Sequence, residues 1–158
     1  MVTHTAAGLL MCRWKDKELE YFLVHPGGPF FIKKDLGVWS IPKGLPENDE
    51  EPLVTAQREF REETGLIAKA PFFPIGTVKQ KGGKVVTAWT FLGDWDPASG
   101  IICNSFKIEW PPRSGKFQEF PEQDKAAWMK FNEASQRINP AQIAFLERAS
   151  EALASAPH

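Results

Sequence analysis

Cysteine is scarce in this chain: Cys12 and Cys103 are the only two in 158 residues. They stand far apart, without a C-x-x-C pair or histidine companions, which excludes a disulfide framework and a cysteine-based zinc site. Both read as plain thiols. Net charge is scarce too, at a formal -1, so there is no strong nucleic-acid footprint and any phosphate binding must come from local placement. No run approaches the ~20 consecutive apolar residues of a membrane span, and the opening MVTHTAAGLLMCRW lacks the basic n-region of a secretory leader. These absences predict a soluble, cytoplasmic protein with no membrane contact. Repeats, low-complexity tracts and linker-length Pro/Gly runs are also missing, so one domain over residues 1–158 is expected.

What is present mixes strands with helices. Hydrophobic residues make up 42 %, enough for a substantial core. The apolar segments Thr5 to Arg13 and Tyr21 to Val24 predict strands, with the polar WKDKEL between them as a hairpin connection. A long loop follows, HPGGPFFIKKDLGVWSIPKG, whose glycines, prolines and aromatics cannot continue a regular element. Long ordered loops usually carry function. After Pro52, the positions of Leu53, Ala56 and Phe60 form an apolar helical stripe, which Gly65 is placed to end in a left-handed cap. Segments 72–78 and 84–93 around QKGGK predict a second hairpin, and Ser105 to Glu109 a further strand. The tail returns to helical spacing: Asn139-Pro140 is a start signal, with Ile143, Leu146, Ala149 and Leu153 on one face.

Within the first helix, REFREETG places Glu59, Glu62 and Glu63 at i, i+3 and i+4, on one side. A solvated face of mixed charge is the ordinary reading of such a run. Here the three like charges repel, and Arg58 and Arg61 relieve only part of that. A hard divalent cation demands oxygen ligands and converts the repulsion into coordination. Mg2+ is the natural candidate, with Mn2+ as a possible substitute, and its remaining positions suit water and substrate phosphates.

The surroundings sharpen this reading. From Gly44 the sequence fits G-x5-E-x7-R-E-U-x-E-E-x-G-U, where U is apolar, with Gly44, Glu50, Arg58, Glu59, Glu62, Glu63 and Gly65 at the fixed positions. Phe60 and Leu66 fill the apolar ones, Phe60 being bulkier than usual. The stretch resembles the Nudix box. That resemblance implies a Nudix-type α/β/α sandwich with a mixed β-sheet between helices, and a box folded as loop, helix and loop. It implies metal-site carboxylates at Glu59, Glu62 and Glu63, a further ligand in the Lys43 carbonyl, and an Arg58–Glu50 pair that orients the box. Gly44 and Gly65 supply backbone freedom.

Many family members add a carboxylate a few residues before a tryptophan on a late strand. KFQEFPEQDKAAWM offers Glu119, Glu122 and Asp124 before Trp128. Glu122 matches the spacing associated with nucleotide-cleaving members, as auxiliary metal ligand or general base, with Glu119 second. Substrate contacts are expected in the long loop: Lys43, with Lys33 and Lys34, as point charges for phosphate oxygens, and Trp39, Phe30 and Phe31 either as stacking partners for a base or as packing anchors. His25 reads as a strand-end residue. The W-S-I-P-K-G entrance is similar to that of dinucleoside polyphosphate hydrolases, and EFPEQDKAAW resembles bacterial NTP pyrophosphohydrolases. The resemblance therefore implies an enzyme that hydrolyses a pyrophosphate bond in a nucleoside or dinucleoside polyphosphate. RNA 5'-pyrophosphate removal and a non-catalytic nucleotide-binding regulator are the alternatives.

Overall fold

The computed structural model describes residues 5–155. The outer ends of the expected 1–158 domain and residues 1–4 of the opening segment lie outside the described residues. The elements in chain order are β1 (Thr5–Lys15), β2 (Glu18–Pro26), β3 (Lys43–Gly44), α1 (Pro52–Thr64), β4 (Phe73–Lys79), β5 (Val85–Leu92), β6 (Ser105–Glu109), β7 (Phe117–Pro121), β8 (Gln123–Met129), α2 (Phe131–Arg137) and α3 (Ile143–Ala154). The main sheet runs β4-β5-β1-β2-β8, with β3 added to β1. Only β1 and β5 pair in parallel; the other neighbours are antiparallel, which makes the sheet mixed.

β1 explains the layering. Its Ala7, Leu9 and Met11 pack with Phe22, Ala56, Phe60 and Phe91 under α1. Ala6, Leu10 and Cys12 point the other way, into a cluster with Tyr21, Leu23, Phe145, Leu146, Ala149 and Leu153 under α3. Alternate residues point to opposite faces of a strand, so a continuous apolar run such as AAGLLMC belongs at the centre of a sheet covered on both sides. Helices on both faces give the expected α/β/α sandwich.

The described elements refine several expectations. WKDKEL is mostly strand, because β1 and β2 turn on Asp16 and Lys17 alone, whose φ values of 52° and 67° suit a tight hairpin turn. The hairpin around QKGGK forms as β4 and β5. β6 does not join the main sheet. It pairs with β7 in a separate two-stranded ribbon whose base is stitched to the start of the long loop, where Gly27 N–H donates to the Glu122 carbonyl at 2.8 Å.

The long loop also holds some regular pairing. β1 and β2 pair from Cys12 to Lys15, while nearer the start of β1 its partners are Lys43 and Gly44. Val24 bridges to Ser40, and Leu9 N–H donates to the Pro42 carbonyl at 3.1 Å. Segment 39–44 is therefore a wedge between diverging strands, and it carries Lys43 and Gly44 to the foot of α1. Gly8 permits this approach, since a Cβ there would lie 2.6 Å from the Pro42 carbonyl oxygen. Among the described residues no helix is long and apolar enough to cross a membrane.

Candidate active site

Local chemistry fixes where α1 begins and ends. Pro52 occupies the first turn, where its missing N–H costs nothing. Gly65 adopts φ 79° and donates its N–H to the Arg61 carbonyl at 2.7 Å, closing the helix with a left-handed cap. Ala56 and Phe60 are fully buried against the sheet, which turns Glu59, Glu62 and Glu63 toward one flank. Glu63 is the deepest of them, at 7 % exposure.

Arg58 organises this flank. Its Nε and Nη2 donate to the two Glu50 oxygens at 2.9 and 3.0 Å, a bidentate pair. Nη1 reaches Glu59 at 2.9 Å and Glu62 at 3.0 Å, and Nη2 also donates to the Leu45 carbonyl at 2.9 Å. Glu50 accepts further from the Thr55 hydroxyl at 2.7 Å and the Glu47 N–H at 3.1 Å. Arg58, followed by Thr55 and the backbone, holds the Glu50 carboxyl down at about 2. The expected Arg58–Glu50 pair is present, and Arg58 positions carboxylates.

Gly44 has no side chain for a steric reason: a Cβ there would collide with the Glu59 carboxyl group. Glu59 thus lies against the Lys43–Gly44 backbone. Burial raises its pKa, opposed by Arg58 and reinforced by Glu62 and Glu122. Burial raises Glu63 more strongly, opposed by Lys43 and reinforced by Glu59 and Glu122. Lys43 is lowered by burial and then by the charge of Lys84. One Glu63 oxygen accepts from the Gln123 amide at 3.0 Å. Neither Gln123 nor Lys84 carried a signal in the sequence, because each reaches the site only through strand pairing.

Glu63 and Lys43 border a cavity of about 270 Å³ that also takes in Phe31, Gln80, Asn139 and Gln142. Larger depressions of about 590 and 660 Å³ lie elsewhere, and none of the three helix glutamates lines either.

The expected site residues sort as follows. Glu122 is exposed between β7 and β8, and its charge is felt at both Glu59 and Glu63. Glu119 is held by the Ser105 hydroxyl at 2.9 Å within the ribbon, and Asp124 by His25 Nδ1 at 2.8 Å. His25 is buried near the end of β2, its Nε2 donating to the Lys34 carbonyl at 2.6 Å. Phe31 borders the cavity, whereas Phe30 packs edge-on against Trp110 at 5.4 Å. Lys33 and Lys34 are exposed, with the Lys34 ammonium 5.6 Å from the Phe31 ring.

Trp39 requires a correction as a stacking partner. It is 3 % exposed, donates Nε1–H to Asp35 at 2.8 Å, and packs edge-on against His25. Its ring is a packing anchor and offers no face to a base.

Chemically the donor set fits a hard divalent cation. Its members are carboxylates and a backbone carbonyl, and burial leaves Glu59 and Glu63 wanting positive charge. Among the described residues no three acidic, histidine or cysteine side chains are gathered closely enough to hold an ion. In this structure Arg58 engages Glu59 and Glu62, and Gln123 engages Glu63.

Fold and box together define a pyrophosphohydrolase of the kind that uses divalent cations. The NUDIX domain model matches residues 2–149, and the chain belongs to that family. The fold is shared with the NUDIX domain of Shewanella oneidensis NrtR, solved with ADP ribose, at TM-score 0.65 and 16 % identity over 97 % of this chain and 90 % of that one. It is also shared with a C. elegans Ap4A hydrolase, at TM-score 0.62 and 20 % identity over 98 % and 100 %. RenU, a Nudix hydrolase from M. smegmatis, aligns at TM-score 0.60 and 21 % identity over 98 % and 88 %. Comparison with curated proteins found no match.

Proposed function

We propose that this protein hydrolyses a pyrophosphate bond in a nucleoside or dinucleoside polyphosphate in a Mg2+-dependent reaction. The observation that carries the reading is Glu63, a buried carboxylate that borders, together with Lys43, a cavity beside the helix. Bound through Glu59, Glu62, Glu63 and the Lys43 carbonyl, Mg2+ would neutralise phosphate charge and acidify the attacking water. Lys43 and its neighbour Lys84 supply positive charge for non-bridging phosphate oxygens. Exposed Glu122 serves as an auxiliary metal ligand or as the general base that accepts the proton of the attacking water. Arg58 keeps Glu59 and Glu62 in register through the reaction, and the cavity takes the nucleoside.

Support from relatives is at the level of class. One fold neighbour is an Ap4A hydrolase, and another was solved with ADP ribose. The test is phosphate and nucleotide release from Ap4A, the four NTPs, ADP-ribose, NADH and a triphosphorylated RNA, with Mg2+ and with chelator. Mg2+-dependent cleavage of a nucleoside or dinucleoside polyphosphate is the expected result. Binding without cleavage would instead favour the regulator reading, and cleavage restricted to RNA the 5'-end reading.

A further inference from the structure

The cavity beside Glu63 is lined by side-chain amides whose polarity is fixed by the backbone. Gln142 is fully buried, and its Oε1 accepts the Ile41 N–H at 3.0 Å. An N–H cannot accept, so Gln142 must turn its Nε2 the other way, where it donates to Gln80 Oε1 at 2.8 Å and to the Ser40 hydroxyl at 3.0 Å. Gln80 therefore uses its oxygen on Gln142 and retains an N–H2 group. Asn139 is fixed in the same way, its Oδ1 accepting the Ala141 N–H at 3.0 Å and its N–H2 group remaining. Among the described residues neither N–H2 group has a hydrogen-bond partner, and both residues border the cavity with Phe31.

We propose that Gln80 and Asn139 select the base of the substrate, favouring a 6-oxopurine nucleotide over an adenine nucleotide. The inference rests on the nucleotide-hydrolase reading and narrows its substrate. A cavity of about 270 Å³ is smaller than typical whole-ligand pockets. It suits the base, leaving the phosphates toward Lys43 and the carboxylates. The two N–H2 donors of Gln80 and Asn139 call for two acceptors on the base edge that faces them. Guanine presents N7 and O6 side by side, whereas adenine presents N7 and an N6 amino donor. An adenine amino group facing either amide leaves two donors opposed and unpaired, the mismatch that discriminates most strongly in a closed site. Phe31 supplies an apolar ring to the same cavity.

The experiment compares GTP with ATP, as kcat/KM and as calorimetric Kd, in the wild type and in two near-isosteric variants. Gln80→Glu keeps an oxygen for Gln142 and replaces the donor with an acceptor. Asn139→Asp keeps the oxygen used by Ala141 and makes the same replacement. The added charge weakens both nucleotides, so the GTP/ATP ratio isolates the donor. The wild type should prefer GTP by roughly 10-fold or more, and each variant should lose most of that preference. Equal use of GTP and ATP by the wild type, or a preference unchanged in both variants, would overturn the proposal. A GTP preference in Kd without turnover would support the pocket while refuting the hydrolase reading. Turnover with no base preference would do the reverse.

Discussion

Glu50, just ahead of α1, and Glu63, near its end, meet opposite fates. Glu50 receives a guanidinium, a hydroxyl and a backbone N–H, while Glu63 is buried beside other carboxylates. The first carboxyl is held at about 2, below its ordinary value near 4.5. A group depressed on folding stabilises fully above its unfolded value, and that stabilisation disappears as pH falls through the folded one. Melting temperatures of wild type and Glu50→Gln should therefore differ most near neutral pH and converge between pH 4.5 and 2. A constant difference across that window would show that Glu50 is not held by Arg58. The box glutamates were legible in the sequence because their spacing is local. The amides at Gln80 and Gln142 were not, since the two meet across 62 residues through the fold.

At the scale of elements, α1 was legible because an apolar stripe, Pro52 and Gly65 all point to one helix. β8 was harder to see. It is an edge strand whose first three of seven residues are charged or amide-bearing, so its QDKAAWM lacks clean alternation. α2 buries only Ala134 and leaves almost no periodic trace. The wedge at 39–44 was read as part of a loop in which Trp39 serves either as a stacking partner or as a packing anchor, because nothing local tells a buried tryptophan from an exposed one. Burial makes Trp39 an anchor for Lys43, four residues on. Trp39→Ala should thus destabilise the protein by about 3–5 kcal/mol, measurable by chemical denaturation. Unchanged stability with a raised KM would restore its stacking role.

Across the whole molecule, the sheet brings three distant segments to one place: the wedge with Lys43, the helix with Glu59 and Glu63, and the β4–β5 turn with Gln80 and Lys84. On the proposed reading, the charged end meets the phosphates and the amide end the nucleoside. Lys43→Ala should then carry a kinetic penalty that grows from di- to tri- to tetraphosphate substrates and shrinks in high salt. A penalty independent of phosphate number would reduce Lys43 to its backbone carbonyl. The central claim is that the buried carboxylate at the cavity edge drives hydrolysis. Its most direct test is steady-state turnover of the best nucleotide substrate in Mg2+ by wild type and Glu63→Gln, with melting temperatures recorded alongside. Turnover should fall by roughly 100-fold or more in a protein that still folds, whereas near-normal turnover by Glu63→Gln would contradict the assignment of the site.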